Sequence, residues 1–257
     1  MKLRNIFIFS IATIAIVAIV FLFGCNGPVS NFDEEYEYQF NGLIVKDYDH
    51  DTACVSTRFS RNDTLVIGAI IAIDSDTLAF PDSTYYYYIS PADSLSSGSH
   101  DILVKDSSRF NDTLEFTVPG SFSISSVLPS VKGPSDIVSV SWTGAANADG
   151  YIIAAVKQDS TYMGLGYSQW VTSQTTSTSI NDSAFTITTI QGTEPNPGIY
   201  SIYVYAYNGV LDSTLLSTLL PTPIPNQLED NITKKNFNGT IGSIVTTLPN
   251  TVNVLAQ

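Results

Sequence analysis

Pro197-Gly198-Ile199-Tyr200-Ser201-Ile202-Tyr203-Val204-Tyr205-Ala206-Tyr207-Asn208 is the stretch from which the fold is read. Tyr200, Ile202, Val204 and Ala206 alternate with Ser201, Tyr203, Tyr205 and Tyr207. A period of two places one apolar face inward along a β-strand. The same rhythm starts at residue 35, where Tyr36, Tyr38 and Phe40 oppose Glu35, Glu37 and Gln39. Strand-like runs follow at 52–59, 64–73, 77–80, 85–89, 100–105 and 113–118, each bounded by Asp, Ser, Asn, Gly or Pro, the turn formers. Asp-Thr-Leu recurs at Asp63, Asp76 and Asp112, and its irregular spacing marks turn-to-strand grammar rather than a repeat. Helical periodicity is absent beyond the first twenty-five residues, so the chain reads as all-β.

Val138-Ser139-Val140-Ser141-Trp142, then Asp149-Gly150-Tyr151-Ile152-Ile153-Ala154-Ala155-Val156, and finally the 197–208 stretch together resemble the fibronectin type III family over residues 120–220. The resemblance implies a sandwich in which Trp142 sits on strand B inside the core and Gly150-Tyr151 opens strand C. It also implies that the Tyr200 hydroxyl ties down the loop before strand F. Segments 158–182 and 191–198 are long for the corresponding connections. Folds of this type host many functions, and none follows from the architecture.

The expected organisation is two tandem antiparallel β-sandwich domains, 33–119 and 120–220, the second fibronectin type III-like. Pro221, Pro223 and Pro225 open a stiff spacer into a 221–257 tail with Lys234, Lys235, a turn at Asn238-Gly239 and a β-prone stretch at 240–248. The tail is expected as a short hairpin on the body or a loose end, with strand donation to a partner's sheet edge as the alternative.

At the N-terminus, Lys2 and Arg4 precede an apolar run from residue 6 to 23 and then Leu22-Phe23-Gly24-Cys25, the pattern of an export signal. Leu22 to Cys25 resembles the lipobox of bacterial lipoproteins. That resemblance implies a signal peptide over 1–24, cleavage before Cys25, acylation of Cys25 and a tether over 25–32. The membrane is then a partner through lipid on Cys25, in the bacterial cell envelope. Asn26 in place of Asp leans, by analogy with lipoprotein sorting, toward the outer membrane over the inner. An uncleaved anchor is the alternative, since ~20 apolar residues span a bilayer.

The formal net charge is −13, from 11 basic and 24 acidic residues. Phosphate backbones repel such a chain, so nucleic acid is excluded as a partner. Cys25 and Cys54 are the only cysteines. With Cys25 consumed by lipid no intramolecular disulfide forms, and Cys54 is expected as a small core residue.

Asp47, Asp49 and Asp51 alternate in Lys46-Asp47-Tyr48-Asp49-His50-Asp51 and form a weak calcium candidate, since hard cations gather six to eight oxygens. The EF-hand pattern fails: Thr52 stands where glycine is required and Arg58 where the bidentate glutamate belongs. An acidic surface turn is the plainer reading. His50 and His100, the only histidines, lack neighbours at metal-ligand spacing, and no Gly-x-Ser-x-Gly elbow occurs. The chain is therefore read as no enzyme and as needing no cofactor.

Aromatic residues carry the binding expectation. Tyr85 to Tyr88 form a run whose alternation sends rings to both faces of a strand. Tyr162, Tyr167 and Trp170 lie among Gly164, Gly166, Ser168 and Gln169 and form the candidate ligand-binding loop, for a polysaccharide or an envelope protein. The competing reading is that these rings merely cover one end of the second sandwich.

Overall fold

A computed structural model describes residues 37–80, 86–133, 136–158, 166–209 and 230–255. The expectations for residues 1–32, Cys25 included, lie outside the described residues, as do those for Tyr85, Tyr162, Pro221, Pro223 and Pro225. Glu37–Gln257 forms one compact unit.

Its first strands are β1 (Tyr38–Asp47), β2 (Thr52–Arg61), β3 (Thr64–Leu65), β4 (Ile70–Ile73), β5 (Asp76–Thr77), β6 (Tyr86–Ser90), β7 (Gly98–Asp106) and β8 (Phe110–Val118). Next come β9 (Val131–Lys132), β10 (Val138–Ser141), β11 (Gly150–Lys157), β12 (Gly166–Thr172), β13 (Ser177–Ile180), β14 (Thr186–Thr189) and β15 (Gly192–Pro195). The last are β16 (Gly198–Asn208), β17 (Ile232–Lys234), β18 (Phe237–Thr246) and β19 (Asn250–Val254). Among the described residues the helical elements are two 3-10 turns, Ala92–Ser94 and Asp182–Phe185. The fold is an all-β sandwich, as expected. One run is broken: 64–73 splits into β3 and β4 around Gly68, whose φ of 80° interrupts the ladder. Of the three Asp-Thr-Leu triplets, Asp112 lies within β8 instead of at a turn, paired with Val104.

A single floor sheet runs β12-β11-β16-β18-β1-β2-β3, with β6 on β2, β17 on β18 and β19 on both β16 and β9. Two layers cover one face of it. Over β1, β2 and β18 lies the sheet β5-β4-β7-β8; the ring of Phe110 on β8 stacks 4.4 Å from Tyr38 and meets Phe237 at 4.7 Å. Over β11 and β16 lies the pair β10-β13, with Trp142 5.2 Å from Tyr151 and Phe185 5.1 Å from Tyr200. Cross-strand pairing puts Tyr151, Ala206, Val245, Lys46 and Ala53 in one row, so both layers sit on the same side.

The 221–257 stretch, expected as a short hairpin on the body, a loose end or a strand for a partner's edge, supplies three strands to the floor over residues 232–254. β18 lies between β1 and β16, parallel to the first and antiparallel to the second, so the floor runs across the expected break near residue 120. The β1–β18 and β9–β19 pairs are parallel within an otherwise antiparallel fold. The turn expected at Asn238-Gly239 falls instead at residues 235–236, where Asn236 has a φ of 59°. Gly239 is a strand position facing Phe40.

Trp142, directly after β10, and Tyr151, at the start of β11, are core residues, and Tyr200 ties down a loop. Trp142 is 3% exposed and Tyr151 1%. The Tyr200 hydroxyl donates to the Asn196 carbonyl at 2.9 Å, which fixes the loop before β16. Among the described residues, segment 158–182 holds β12 and β13, and segment 191–198 holds β15.

The reverse face of the floor holds a second apolar cluster: Leu43, Val45, Ile152, Ala154, Tyr205, Tyr207 and Ile244, with Tyr203 at its margin. Tyr205 and Tyr207, outward by simple alternation, are buried. Cys54, expected in the core, is half-buried, opposite Val45 and Ile89.

Candidate functional site

The end of the floor carries the sequence-predicted aromatic site. β12 pairs with β11 in the register Trp170 to Ile152, and Ile152 pairs in turn with Tyr205. Trp170 is 42% exposed. Its indole N–H donates to the Tyr207 hydroxyl at 2.5 Å, which pins the ring's edge and leaves its surface for contact. Burial pushes the Tyr207 hydroxyl above the ordinary tyrosine value, against the lowering effect of the Trp170 hydrogen bond. Gly150 makes room for this arrangement: a Cβ there would lie 2.6 Å from the Tyr207 hydroxyl and 2.7 Å from the Val171 carbonyl. Gln169 Nε2 donates to Thr178 Oγ1 at 2.8 Å and braces β12 against β13. Tyr167 falls in β12 at the position paired with Ala155. Tyr207 is the member of this site that sequence reasoning missed. Its place in an alternating run marked it as outward but could not show that Trp170 would lean on it.

The aspartate loop has another use. Asp47 Oδ2 bonds His50 Nδ1 at 2.8 Å, while Oδ1 accepts from the Asp49 backbone N–H at 2.9 Å and from Thr246 Oγ1 at 2.8 Å. Burial works to raise the Asp47 carboxyl, but these hydrogen bonds outweigh it and hold the group below the usual carboxylate range. The Asp47 hydrogen bond correspondingly raises His50. Asp51 sits at a φ of 47° in the turn. Among the described residues no group of three or more His, Cys, Asp or Glu side chains gathers to hold a metal, at Asp47, Asp49 and Asp51 or elsewhere. The carboxylate that would begin such a site is spent on closing the loop onto β18.

His100 is buried, stacked 5.4 Å from Phe116, with Nδ1 2.8 Å from Asp74 Oδ2. Its Nε2 faces the Ser96 carbonyl at 3.0 Å, and the Ser96 hydroxyl stands at 3.5 Å. With Nδ1 against Asp74 and Nε2 against Ser96, this trio ties the β4–β5 turn to the start of β7. A cavity of about 90 Å³ beside it is floored by Ala53, Val55 and Ile73.

A larger cavity, about 180 Å³, lies under the β14–β15 hairpin between Phe185, Glu194, Pro195 and Leu255. Lys132 reaches it from β9, nearly fully buried, with Nζ 3.0 Å from Asp182 and 3.1 Å from the Gly133 carbonyl. The ammonium also lies 5.5 Å from the centre of the Phe185 ring, a cation–π distance. These partners compensate the buried charge.

No protein-family model matches the chain, and no curated protein matches it. Solved structures do. The FN1-FN3 domains of chicken CNTN1 are 18% identical over 65% of this chain and 58% of theirs, with a TM-score of 0.23. This chain thus spans little more than half of that segment's length. A two fibronectin type-III domain segment from chicken tenascin is 15% identical, covering 76% of this chain and 92% of its own, with a TM-score of 0.24. The fibronectin(III)-like modules of Clostridium thermocellum CbhA are 7% identical over 84% and 90%, with a TM-score of 0.26.

Proposed function

We propose that this chain is an exported, lipid-anchored protein of the bacterial cell envelope, tethered through Cys25, that acts as a non-catalytic binding or scaffold module. The half-exposed Trp170 at the end of the floor sheet carries the reading. Its N–H is already satisfied by Tyr207, so its remaining contact surface is apolar and held in one orientation. A ring fixed in this way loses little freedom on binding, which favours recognition by stacking or by a protein hot spot. The anchor reading rests on Lys2, Arg4, the apolar run and Cys25. The acidic charge disfavours nucleic acid and anionic surfaces.

Glycan binding at Trp170 is the second reading, favoured by the same fixed and exposed indole, since sugar faces stack on such rings. Retention of the full chain, solubilised in mild detergent, on immobilised envelope polysaccharides separates the two. Retention that Trp170→Ala abolishes, with the melting curve unchanged, makes the module a glycan binder. No retention on any polymer, together with crosslinks from the Trp170 edge to an envelope protein, supports the scaffold reading. An absence of both overturns the assignment of Trp170.

A further inference from the structure

The C-terminal segment is held as a ligand is held, by contacts along its whole length to two separate walls. On one side β18 pairs with β1 through all ten residues, from Tyr38–Phe237 to Asp47–Thr246. On the other, Ser243 to Thr246 pair with Asn208 to Tyr205, and β19 continues along β16 from Ile202 to Gly198. Polar ties reach the cover of the first half and the β9 edge of the floor. Lys234 Nζ bonds the Asp112 carboxylate at 2.8 Å and Ser243 Oγ donates to the Thr117 carbonyl at 2.5 Å, both in β8. Backbone N–H groups of Asn253 and Leu255 donate to Ser130 and Lys132 at 3.1 Å.

The fit has a steric key. Gly239 has a φ of 132°, where side chains are strained, and a Cβ on it would collide with the Phe40 carbonyl oxygen. Asn231 locks the key from behind, accepting from the Ile241 N–H at 2.8 Å and donating to the Ile241 carbonyl at 2.6 Å. Take the segment away and β1 and β16 are both left with open edges, beside the apolar residues that β18 now covers on both faces of the floor.

We propose that residues 37–209 form a strand-accepting groove between β1 and β16. The partner it fits is an extended segment parallel to β1 with glycine opposite Phe40, and residues 230–255 fill it in cis as a separable clasp. This inference does not depend on what Trp170 binds. The clasp closes both sandwiches in one step, because the same four residues of β18 are bonded to β1 and to β16.

The test uses the full chain with a specific protease sequence placed within residues 210–229 and then cut. The probe is a fluorescent synthetic peptide of residues 230–257. The cut chain is expected to keep its C-terminal piece through size-exclusion chromatography and to exchange it for the labelled peptide. A Gly239→Ala peptide competes at least about fivefold more weakly, the low end of the cost of a strained backbone residue. Departure of the piece while the body keeps its circular dichroism and melting curve overturns the proposal, as does equal competition by Gly239→Ala. Native-state hydrogen exchange on the uncut chain covers the case in which the inserted sequence disturbs folding. Common protection of β1, β16 and β18 supports the clasp, and loss of β18 protection while β1 and β16 stay protected refutes it.

Discussion

The two halves of the floor sheet solve the same covering problem by different means. Over β1 and β2 the cover is a four-stranded sheet, sewn down at many points: Tyr38 and Arg61 both reach the Asp106 carboxylate, at 3.1 and 2.9 Å, and four rings (Tyr38, Phe59, Phe110, Phe237) interlock beneath it. Over β11 and β16 the cover is the narrow β10–β13 pair with a single bridge from Ile124 to Trp142. There a few large side chains, Trp142 against Tyr151 and Phe185 against Tyr200, fill the space that strands fill elsewhere. Where strands make the cover, packing is distributed; where side chains make it, packing is concentrated and one truncation removes much of it.

The largest expected effect follows from that concentration. Trp142→Ala in the thin cover should cost about 3–5 kcal/mol, from lost transfer energy and the cavity left behind. Phe110→Ala in the sewn cover should cost about 2 kcal/mol, because Phe110 is half-buried and three rings remain to close on the gap. Urea denaturation followed by far-UV circular dichroism reads both. Equal losses would mean that the two covers are packed alike and would break the comparison.

The thin cover was the more legible half. Trp142, Tyr151 and Tyr200 stand in local stretches that resemble the fibronectin type III family, and that resemblance implied their placements. The other half's closing strand was not legible, because β18 lies more than 190 residues from β1 in the chain and no local pattern encodes a partner that distant. A clue was present in the continuous apolar run from Tyr151 to Val156. A strand buried on one face alternates, whereas one buried on both faces reads as unbroken. That run signalled the reverse-face cluster, and hence the burial of Tyr205 and Tyr207 that alternation alone assigned to solvent. At the candidate site, Trp170 was identified from its loop-like, glycine-rich surroundings, although it stands on a strand. Its partner Tyr207 depends on register across β11 and could not be read.

A smaller contrast separates two tyrosine hydroxyls. Tyr200→Phe leaves the Asn196 carbonyl without its donor and should cost about 1 kcal/mol. Tyr38→Phe removes one of two donors from Asp106, which keeps Arg61, so its cost should be about 0.5 kcal/mol or less. Denaturation midpoints at constant slope measure both. The opposite ranking would show that the tyrosine before β16 is a packing residue and not a tether.

The finest distinction lies in pH. In the first half, Asp47 and Asp74 are both held below the usual carboxylate range. For each, burial works in the opposite direction and is outweighed by hydrogen bonds, from His50 and Thr246 to Asp47 and from His100 and the Asp101 N–H to Asp74. A depressed carboxyl contributes stability that is present above the unfolded value, near pH 4, and lost as pH falls through the folded one. In the second half, burial raises Tyr203, Tyr205 and Tyr207 on β16, Tyr205 most of all, and a raised tyrosine contributes in the reverse sense. Its contribution is whole below the unfolded value, near pH 10, and is lost as pH climbs toward the folded one, because the unfolded chain ionises first. Acid should therefore loosen the fold through the aspartates of β1 and the β4–β5 turn, and alkali through β16. Tyr38, raised by burial on β1, adds a lesser alkaline contribution from the first half. Tyr205→Phe should soften the alkaline fall in stability and leave the acid limb unchanged, while Asp47→Asn should do the converse. The Asp47 effect is small, since its partner His50 is exposed and screened by solvent. If Tyr205→Phe left the alkaline limb as steep as before, the reverse-face tyrosines would not be the groups that resist ionisation, and their burial would have to be relieved before the fold opens.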